Sequence, residues 1–131
     1  MKALLQLAEQ EKVSEVKLHL FADGKDSKPK SFAALLREMP ADKRATIIGR
    51  HYAMDREENW NLTQEAYRVL TETAGTILKD TVEDVLADYY KKYDLEAFLP
   101  PFRFGGEEKN IRENDAVIFF NFREDSISQL A

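Results

Sequence analysis

The sequence of 131 residues has no cysteine, only two histidines and no long apolar run. Without cysteine, the chain can form no disulfide and can carry out no thiol chemistry. His19 and His51 stand far apart in the sequence, which argues against a zinc site, so we expect no metal in this chain. Every apolar stretch is much shorter than the roughly 20 residues that cross a bilayer, so we expect no contact with a membrane.

Several catalytic motifs are also absent. The sequence contains no GxGxxG, Walker, GxSxG or HExxH motif, and no serine beside a predicted base. The net charge of −5 and the pI of about 5.1 disfavour nucleic acid as a partner, because binding to phosphate backbones needs a basic surface. The first residues are too polar for a signal peptide. Together with the lack of cysteine, this predicts a soluble, cytoplasmic protein.

The residues that are present predict a folded protein. The length fits a single domain over residues 1–131, and 44% hydrophobic residues are enough for a sizeable core. Strand and helix patterns alternate, which predicts an α/β fold: a mostly parallel sheet flanked by helices in a single three-layer domain. The predicted helices are 2–11, one with Pro29 in its first turn that ends before Pro40, 57–79 and one from 82. The predicted strands are 16–21, 45–48 and 116–120, the last in the middle of a covered sheet, with 99–102 as an edge strand or extended segment.

Basic residues follow the predicted strands. They are Lys25, Arg50, Arg56 and Arg123. Ligands of open α/β sheets bind beyond the carboxyl ends of the strands, and a guanidinium group can grip a carboxylate or a phosphate with two parallel hydrogen bonds. The pattern therefore favours an anion pocket made by separate loops. Solvated side chains in weak ion pairs are the alternative, and the sequence leaves both open.

Asp23 and Asp26 flank Gly24 in the first of these loops. One carboxylate could steady the loop while the other takes a proton from a ligand hydroxyl, although an ordinary Asp-Gly turn explains the same residues. His19 lies inside a predicted strand, where a core histidine is the usual explanation.

Four long motifs resemble those of one enzyme family, the cofactor-independent (2,3-bisphosphoglycerate-independent) phosphoglycerate mutases. The similarity covers the whole chain and preserves the order of the motifs. The matching segments are His19-Leu-Phe-Ala-Asp-Gly-Lys-Asp26 with Lys28-Pro-Lys-Ser31, Ile48-Gly-Arg-His-Tyr-Ala-Met-Asp-Arg56 with Trp60, Phe98-Leu-Pro-Pro101, and Asn114-Asp-Ala-Val-Ile-Phe-Phe-Asn-Phe-Arg123.

This resemblance implies a two-domain parent enzyme. A phosphatase-like domain carries a serine nucleophile and two manganese ions, and a smaller inserted domain holds 3-phosphoglycerate or 2-phosphoglycerate. The chain looks like the inserted domain alone, so its partners would be the phosphoglycerate and the missing domain. We therefore expect no cofactor in this chain and no mutase activity from it alone.

The resemblance also implies roles for individual residues. Arg50, Arg56 and Arg123 bind the carboxylate and phosphate of the substrate, and Asp26 is the acid/base for its hydroxyls. The first motif adds three expected substrate-binding residues, namely His19, Asp23 and Lys25. The chain departs from the family at Lys25 and at Ser126, where arginine is usual.

Two other functions stay open at this point. A non-catalytic phosphoacid-binding or sensor module would explain the missing arginine at Ser126. A protein-interaction domain would be preferred if the charges at the strand ends proved scattered and ion-paired.

Overall fold

A four-stranded sheet with helices on both faces forms the centre of the computed structural model, which describes residues 1–79 and 81–131. The strands are β1 (Leu18–Ala22), β2 (Arg44–Gly49), β3 (Thr76–Ile77) and β4 (Phe102–Arg103). The α-helices of this part are α1 (Lys2–Gln10), α2 (Phe32–Arg37), α3 (Arg50–Ala53), α4 (Trp60–Thr71) and α5 (Val82–Tyr90). Short 3-10 turns lie at Ala41–Lys43, Glu96–Phe98, Glu107–Lys109 and Glu124–Ser126. Among the described helices, none has the length and apolar character needed to cross a bilayer.

The sheet has the strand order β1-β2-β4-β3 and is mostly parallel. β1 and β2 run parallel, as do β3 and β4, while β2 and β4 are antiparallel. The predicted α/β class is therefore confirmed. Because β1 and β2 are parallel neighbours, the segments that follow Ala22 and Gly49 leave the sheet at the same edge.

Two hydrophobic clusters cover the two faces of the sheet. One contains buried side chains of β1, α2 and α5, with α1 packed against it, and the other contains those of α3 and α4. Every residue of β2 is buried, and its neighbouring side chains Ile47 and Ile48 belong to opposite clusters. Burial on both faces explains why this strand has no charged residue between Arg44 and Gly49.

Arg103 on β4 is fully buried and is held by oxygen atoms of uncharged groups. Its guanidinium donates hydrogen bonds to the carbonyl oxygens of Glu72, Ala74, Gly105 and Gly106, and to Oδ1 of Asn110. These bonds fix the segment that follows α4 and the turn that follows β4. A buried cation needs such a complete set of acceptors, because each unmade hydrogen bond would leave it poorly solvated.

The prediction of helix over most of residues 57–79 is wrong at both ends. The helix begins at Trp60 and stops at Thr71, and Thr76–Ile77 forms β3 beside β4. Gly75, with φ at +83°, turns the chain at this point. A Cβ there would lie 2.7 Å from Val69 Cγ2, so the chain passes close to α4 only because residue 75 is glycine.

The prediction of a central strand at 116–120 is also wrong. The segment 116–122 lies outside the described sheet, and Ile118, Phe120 and Phe122 have relative exposures of 71%, 65% and 105%. Apolar and β-branched side chains favour a strand only when neighbouring strands and a covering layer bury them. The described residues offer this run neither, so Arg123 does not follow a strand.

Two local predictions are confirmed by the structure. Thr81 caps α5, where its hydroxyl accepts a hydrogen bond from the backbone N–H of Asp84. The segment Leu99–Pro101 is extended, and its two prolines lie immediately before β4 rather than within it. β4 itself lies between β2 and β3, so it is not an edge strand.

We expect Arg103→Lys to lower the free energy of unfolding by roughly 3 kcal/mol, because a single ammonium group cannot reach acceptors that are spread around the edge of the planar guanidinium. Urea denaturation followed by circular dichroism measures the change. Arg112→Lys is the matched control, since the exposed Arg112 side chain donates, within the described part of the chain, only to the Glu107 carbonyl, at 3.2 Å. A loss in Arg103→Lys no larger than in this control would contradict the role of Arg103.

Candidate anion-binding site

Arg50 and two aspartates meet where β1 and β2 end. Asp23 and Asp26 lie in the loop after β1, and Arg50 begins α3 directly after β2. Arg50 Nη1 donates to Asp23 Oδ1 and, at 2.9 Å, to Asp26 Oδ2. The parallel pairing of β1 and β2 thus brings together three residues that the sequence placed in two separate motifs.

The charges in this group stabilise one another. Partial burial alone would raise the pKa of Asp23, but hydrogen bonds from Ser27 and the Arg50 guanidinium outweigh it and hold the pKa below its usual value. Burial alone would lower the pKa of Arg50, but its bonds to Asp26 and Asp23 raise it. Asp23 and Arg50 are therefore both ionised at neutral pH, and the guanidinium carries the positive charge that an anion site requires.

A second group contains Arg56, Arg123 and Asp125. Asp125 Oδ2 accepts hydrogen bonds from Arg56 Nη1 at 2.5 Å and from Arg123 Nη2 at 3.1 Å, and Oδ1 accepts from Arg123 Nε at 3.3 Å. Hydrogen bonds from Arg123 and Arg56 lower the pKa of Asp125. One carboxylate thus lies between two guanidinium groups, which shows that the pair can hold an oxyanion.

Asp55 and Gln129 place the C-terminal segment beside Arg56. Gln129 Nε2 donates to Asp55 Oδ2 at 2.8 Å and to Thr63 Oγ1 at 3.2 Å. Asp55 also accepts hydrogen bonds from the backbone and side chain of Asn59. These contacts, rather than a strand, bring Arg123 to Arg56.

Lys25 lies in the same loop as Asp23 and Asp26, but it makes no ion pair within residues 1–79 and 81–131. Its ammonium group lies 5.8 Å from the centre of the Phe98 ring, a cation–π contact. His51 of α3 also packs on Phe98, with 5.0 Å between the ring centres.

His19 lies within β1, three residues before the strand ends. Its Nδ1 is 2.9 Å from Thr46 Oγ1 on β2, and its Nε2 is buried without a hydrogen-bond partner in the described part of the chain. Burial, with the positive charges of Lys17 and Arg103, lowers the pKa of His19 from 6.5 to about 4. The side chain is thus neutral at pH 7, and its observed hydrogen bond is within the sheet.

The turn Glu96–Phe98 lies against the loop that carries the two aspartates and against Gly49, which precedes Arg50. The sequence alone did not place this turn in the site. A Cβ at Gly49 would lie 2.4 Å from the Ala97 carbonyl oxygen, and one at Gly24 would lie 2.6 Å from Glu96 Oε2. The only sequence signal was a glutamate within the otherwise apolar run 95–99. A charged residue in such a run more often marks an exposed position, so its burial could not be foreseen.

The three arginines are thus paired with carboxylates in two groups, whereas Lys25 makes no such pair among the described residues. The described residues contain no group of three or more His, Asp or Glu side chains that could hold a metal ion. What the two groups offer is guanidinium groups in fixed positions, together with the exposed carboxylate of Asp26. Such a set suits a small ligand with negatively charged oxygen atoms.

Comparison with known proteins identifies the family. The sequence model described as "BPG-independent PGAM N-terminus" matches residues 1–131. The chain belongs to this family. Among curated phosphoglycerate mutases of the 2,3-bisphosphoglycerate-independent type, it is 38% identical to one from Methanosarcina barkeri, 37% to one from Pyropia yezoensis and 38% to one from Staphylococcus haemolyticus. Each alignment covers 98% of this chain and 25–27% of the relative, so the chain spans about a quarter of their length.

The fold agrees with this membership of the BPG-independent family. A crystal structure of Leishmania mexicana phosphoglycerate mutase, obtained at low cobalt concentration, superposes with a TM-score of 0.79 and 19% sequence identity. The superposition covers 97% of this chain and 26% of the Leishmania chain. The resemblance read from the four motifs is therefore confirmed.

The low pKa of His19 predicts how stability depends on pH. Between pH 6.5 and 4 the unfolded chain binds a proton at this residue and the folded chain does not, so the free energy of unfolding falls as the pH is lowered, by about 3 kcal/mol in all. Urea denaturation at several pH values in this range measures the fall.

His19→Gln should remove most of this pH dependence, because glutamine does not titrate. His51→Gln, which changes an exposed histidine, should retain it. The assignment to His19 is wrong if both variants lose stability with pH as the unmodified chain does.

Proposed function

We propose that this chain is the substrate-binding part of a phosphoglycerate mutase, which interconverts 3-phosphoglycerate and 2-phosphoglycerate in cytoplasmic glycolysis and gluconeogenesis. The observation that carries the proposal is the meeting of Asp23, Asp26 and Arg50 at the ends of two parallel strands. It is supported by membership of the BPG-independent family over residues 1–131 and by the mutase names of the relatives.

Guanidinium groups in two separate clusters, at Arg50 and at Arg56 with Arg123, are the donors that a ligand with a carboxylate and a phosphate needs. In our proposal Arg50, Arg56 and Arg123 bind these two groups, and Lys25, Asp23 and His19 complete or support the pocket. The ligand oxygens would replace the aspartate oxygens that the arginines now hold. Partly exposed ion pairs contribute only about 0–1 kcal/mol each, so a ligand carrying more negative charge than a single carboxylate can displace them.

Asp26 is the proposed acid/base. Its side chain is 64% exposed, and one of its oxygens contacts Arg50. When a ligand anion takes over Arg50, the Asp26 carboxylate is left beside the bound glycerate. There it can accept the proton of one hydroxyl and return it to the other glycerate oxygen, as general acid–base catalysis requires.

The remaining chemistry belongs to the phosphatase-like domain of the parent enzyme. The phosphoryl group passes from one glycerate oxygen to a serine oxygen there and then to the other glycerate oxygen. Two manganese ions, which would stabilise the negative charge of the transferred group, have no set of ligands among the described residues and would be bound by that domain. The contribution of this chain is to hold and reorient the glycerate, because phosphoryl transfer depends largely on positioning and charge.

Titration with 3-phosphoglycerate followed by NMR tests the binding role. We expect the Nε–Hε signals of Arg50, Arg56 and Arg123 to shift, and Arg50→Gln to weaken binding at least tenfold through the loss of a charged hydrogen-bond donor. Arg68→Gln is the control, because Arg68 of α4 makes a similar ion pair with Glu72, the residue after the helix. Equal affinity of these two variants would contradict the assignment of Arg50.

The isolated chain should have no mutase activity. Conversion of 3-phosphoglycerate to 2-phosphoglycerate can be followed with enolase as the coupling enzyme. The Arg50→Gln variant, purified in the same way, measures the background from contaminating mutases. Activity above this background would show that the chain needs no second domain for phosphoryl transfer.

A further inference from the structure

Glu96 is a buried carboxylate behind the loop that carries Lys25 and Asp26. None of its surface is exposed, and it begins the 3-10 turn Glu96–Phe98. Its Oε1 accepts hydrogen bonds from the backbone N–H of Phe32 at 3.1 Å and from the hydroxyl of Tyr90 at 2.7 Å. Its Oε2 is buried and has no hydrogen-bond partner among the described residues.

The contacts of Glu96 lie at the two ends of one loop. Gly24 stands near the start of the loop that runs from β1 to α2, and Phe32 is the first residue of α2. A Cβ added at Gly24 would lie 2.6 Å from Oε2 and 2.8 Å from the backbone nitrogen of Glu96. The same carboxylate therefore packs against the start of the loop and hydrogen-bonds to its end.

This loop carries Lys25 and Asp26 between those two fixed points. Both side chains are exposed, and Asp26 is joined to the rest of the chain through Arg50, which a ligand would occupy in our proposal. Something else must then hold the loop in place when the ion pair opens. Of the described contacts, the one that reaches both ends of the loop from a single side chain is that of Glu96.

We infer that Glu96 is a positioning residue, which holds the loop of Lys25 and Asp26 in its binding geometry by contacting both Gly24 and the N–H of Phe32. The inference rests on the proposed function for the identity of the ligand. The length of the glutamate side chain allows its carboxylate to contact both ends of the loop. Aspartate is one methylene shorter and cannot contact both ends, whereas glutamine keeps the length and an oxygen for Phe32 and Tyr90.

Two conservative variants, studied without ligand, distinguish the effect of side-chain length at residue 96 from the effect of its charge. We expect Glu96→Asp to lower the ¹⁵N order parameters of Lys25 and Asp26, and Glu96→Gln to keep them close to those of the unmodified chain. Hydrogen exchange of the Ile47 amide in β2 should be the same in both, because loosening of one loop does not open the sheet. A merely structural role would instead speed exchange at Ile47 and leave the loop order unchanged.

Tyr90→Phe is the matched control. It removes the other hydrogen bond to Glu96 Oε1 but keeps the ring, which lies 5.8 Å from Lys30 Nζ near the end of the loop, so the loop order should be unchanged. The inference is wrong if Glu96→Asp leaves the order of Lys25 and Asp26 unaltered, or if Glu96→Gln disturbs the loop and Glu96→Asp does not.

Ligand titration then distinguishes this inference from the proposed function. We expect the dissociation constant for 3-phosphoglycerate to rise at least fivefold in Glu96→Asp and to change less than twofold in Glu96→Gln. If the unmodified chain fails to bind 3-phosphoglycerate, the proposed function fails, while the order parameters still decide the role of Glu96. If all three bind alike, Glu96 does not position the loop for binding.

Discussion

The backbone of β2 at Gly49 lies directly against the backbone of residues 97–99, and the arrangement of the candidate site depends on this contact. The N–H of Gly49 donates to the Leu99 carbonyl at 2.8 Å, and a Cβ would meet backbone atoms of Ala97 and Leu99 at 2.4–2.7 Å. No other residue fits without separating the two segments. Since Arg50 follows Gly49, this approach fixes where α3 and its guanidinium begin.

Arginine has two different uses in this fold, and burial decides between them. Arg103 is fully buried, and four of its five acceptors are backbone carbonyl oxygens, so its partners cannot be exchanged. Arg50, Arg56 and Arg123 are more exposed and contact carboxylates on side chains. Side-chain partners in contact with water can be replaced by a ligand at small cost, whereas backbone partners in the core cannot.

The part of the site that could be predicted from sequence is the part determined by local pattern. β1 and β2 are apolar strands followed by charged loops, and parallel neighbours bring such loops to one edge. The position of Arg123 could not be predicted in this way, because it depends on the distant contacts of Asp125 and Gln129. The residues that were predicted to bind substrate remain predictions until a ligand is tested.

The same limit applies to the fold. The two-residue strand β3 is too short to leave an apolar pattern, and it exists because Gly75 and the carbonyl bonds of Arg103 direct the chain to β4. The run 116–120 has a strong strand pattern but no neighbouring strand among the described residues. A sequence pattern indicates that a segment favours the strand conformation, whereas strand pairing depends on which segments are its neighbours in the fold.

The exposed run 117–122 has a consequence for the behaviour of the chain at high concentration. It contains six consecutive uncharged residues, five of them apolar or aromatic, and no proline or glycine. Segments of this composition stack between molecules into cross-β ladders, with their side chains interlocked in a dry interface. Arg123, Glu124 and Asp125 follow immediately, and charged residues in such flanking positions act as gatekeepers that oppose this stacking. Arg123 and Asp125, which belong to the candidate anion-binding site, thus also oppose aggregation of the chain through this run.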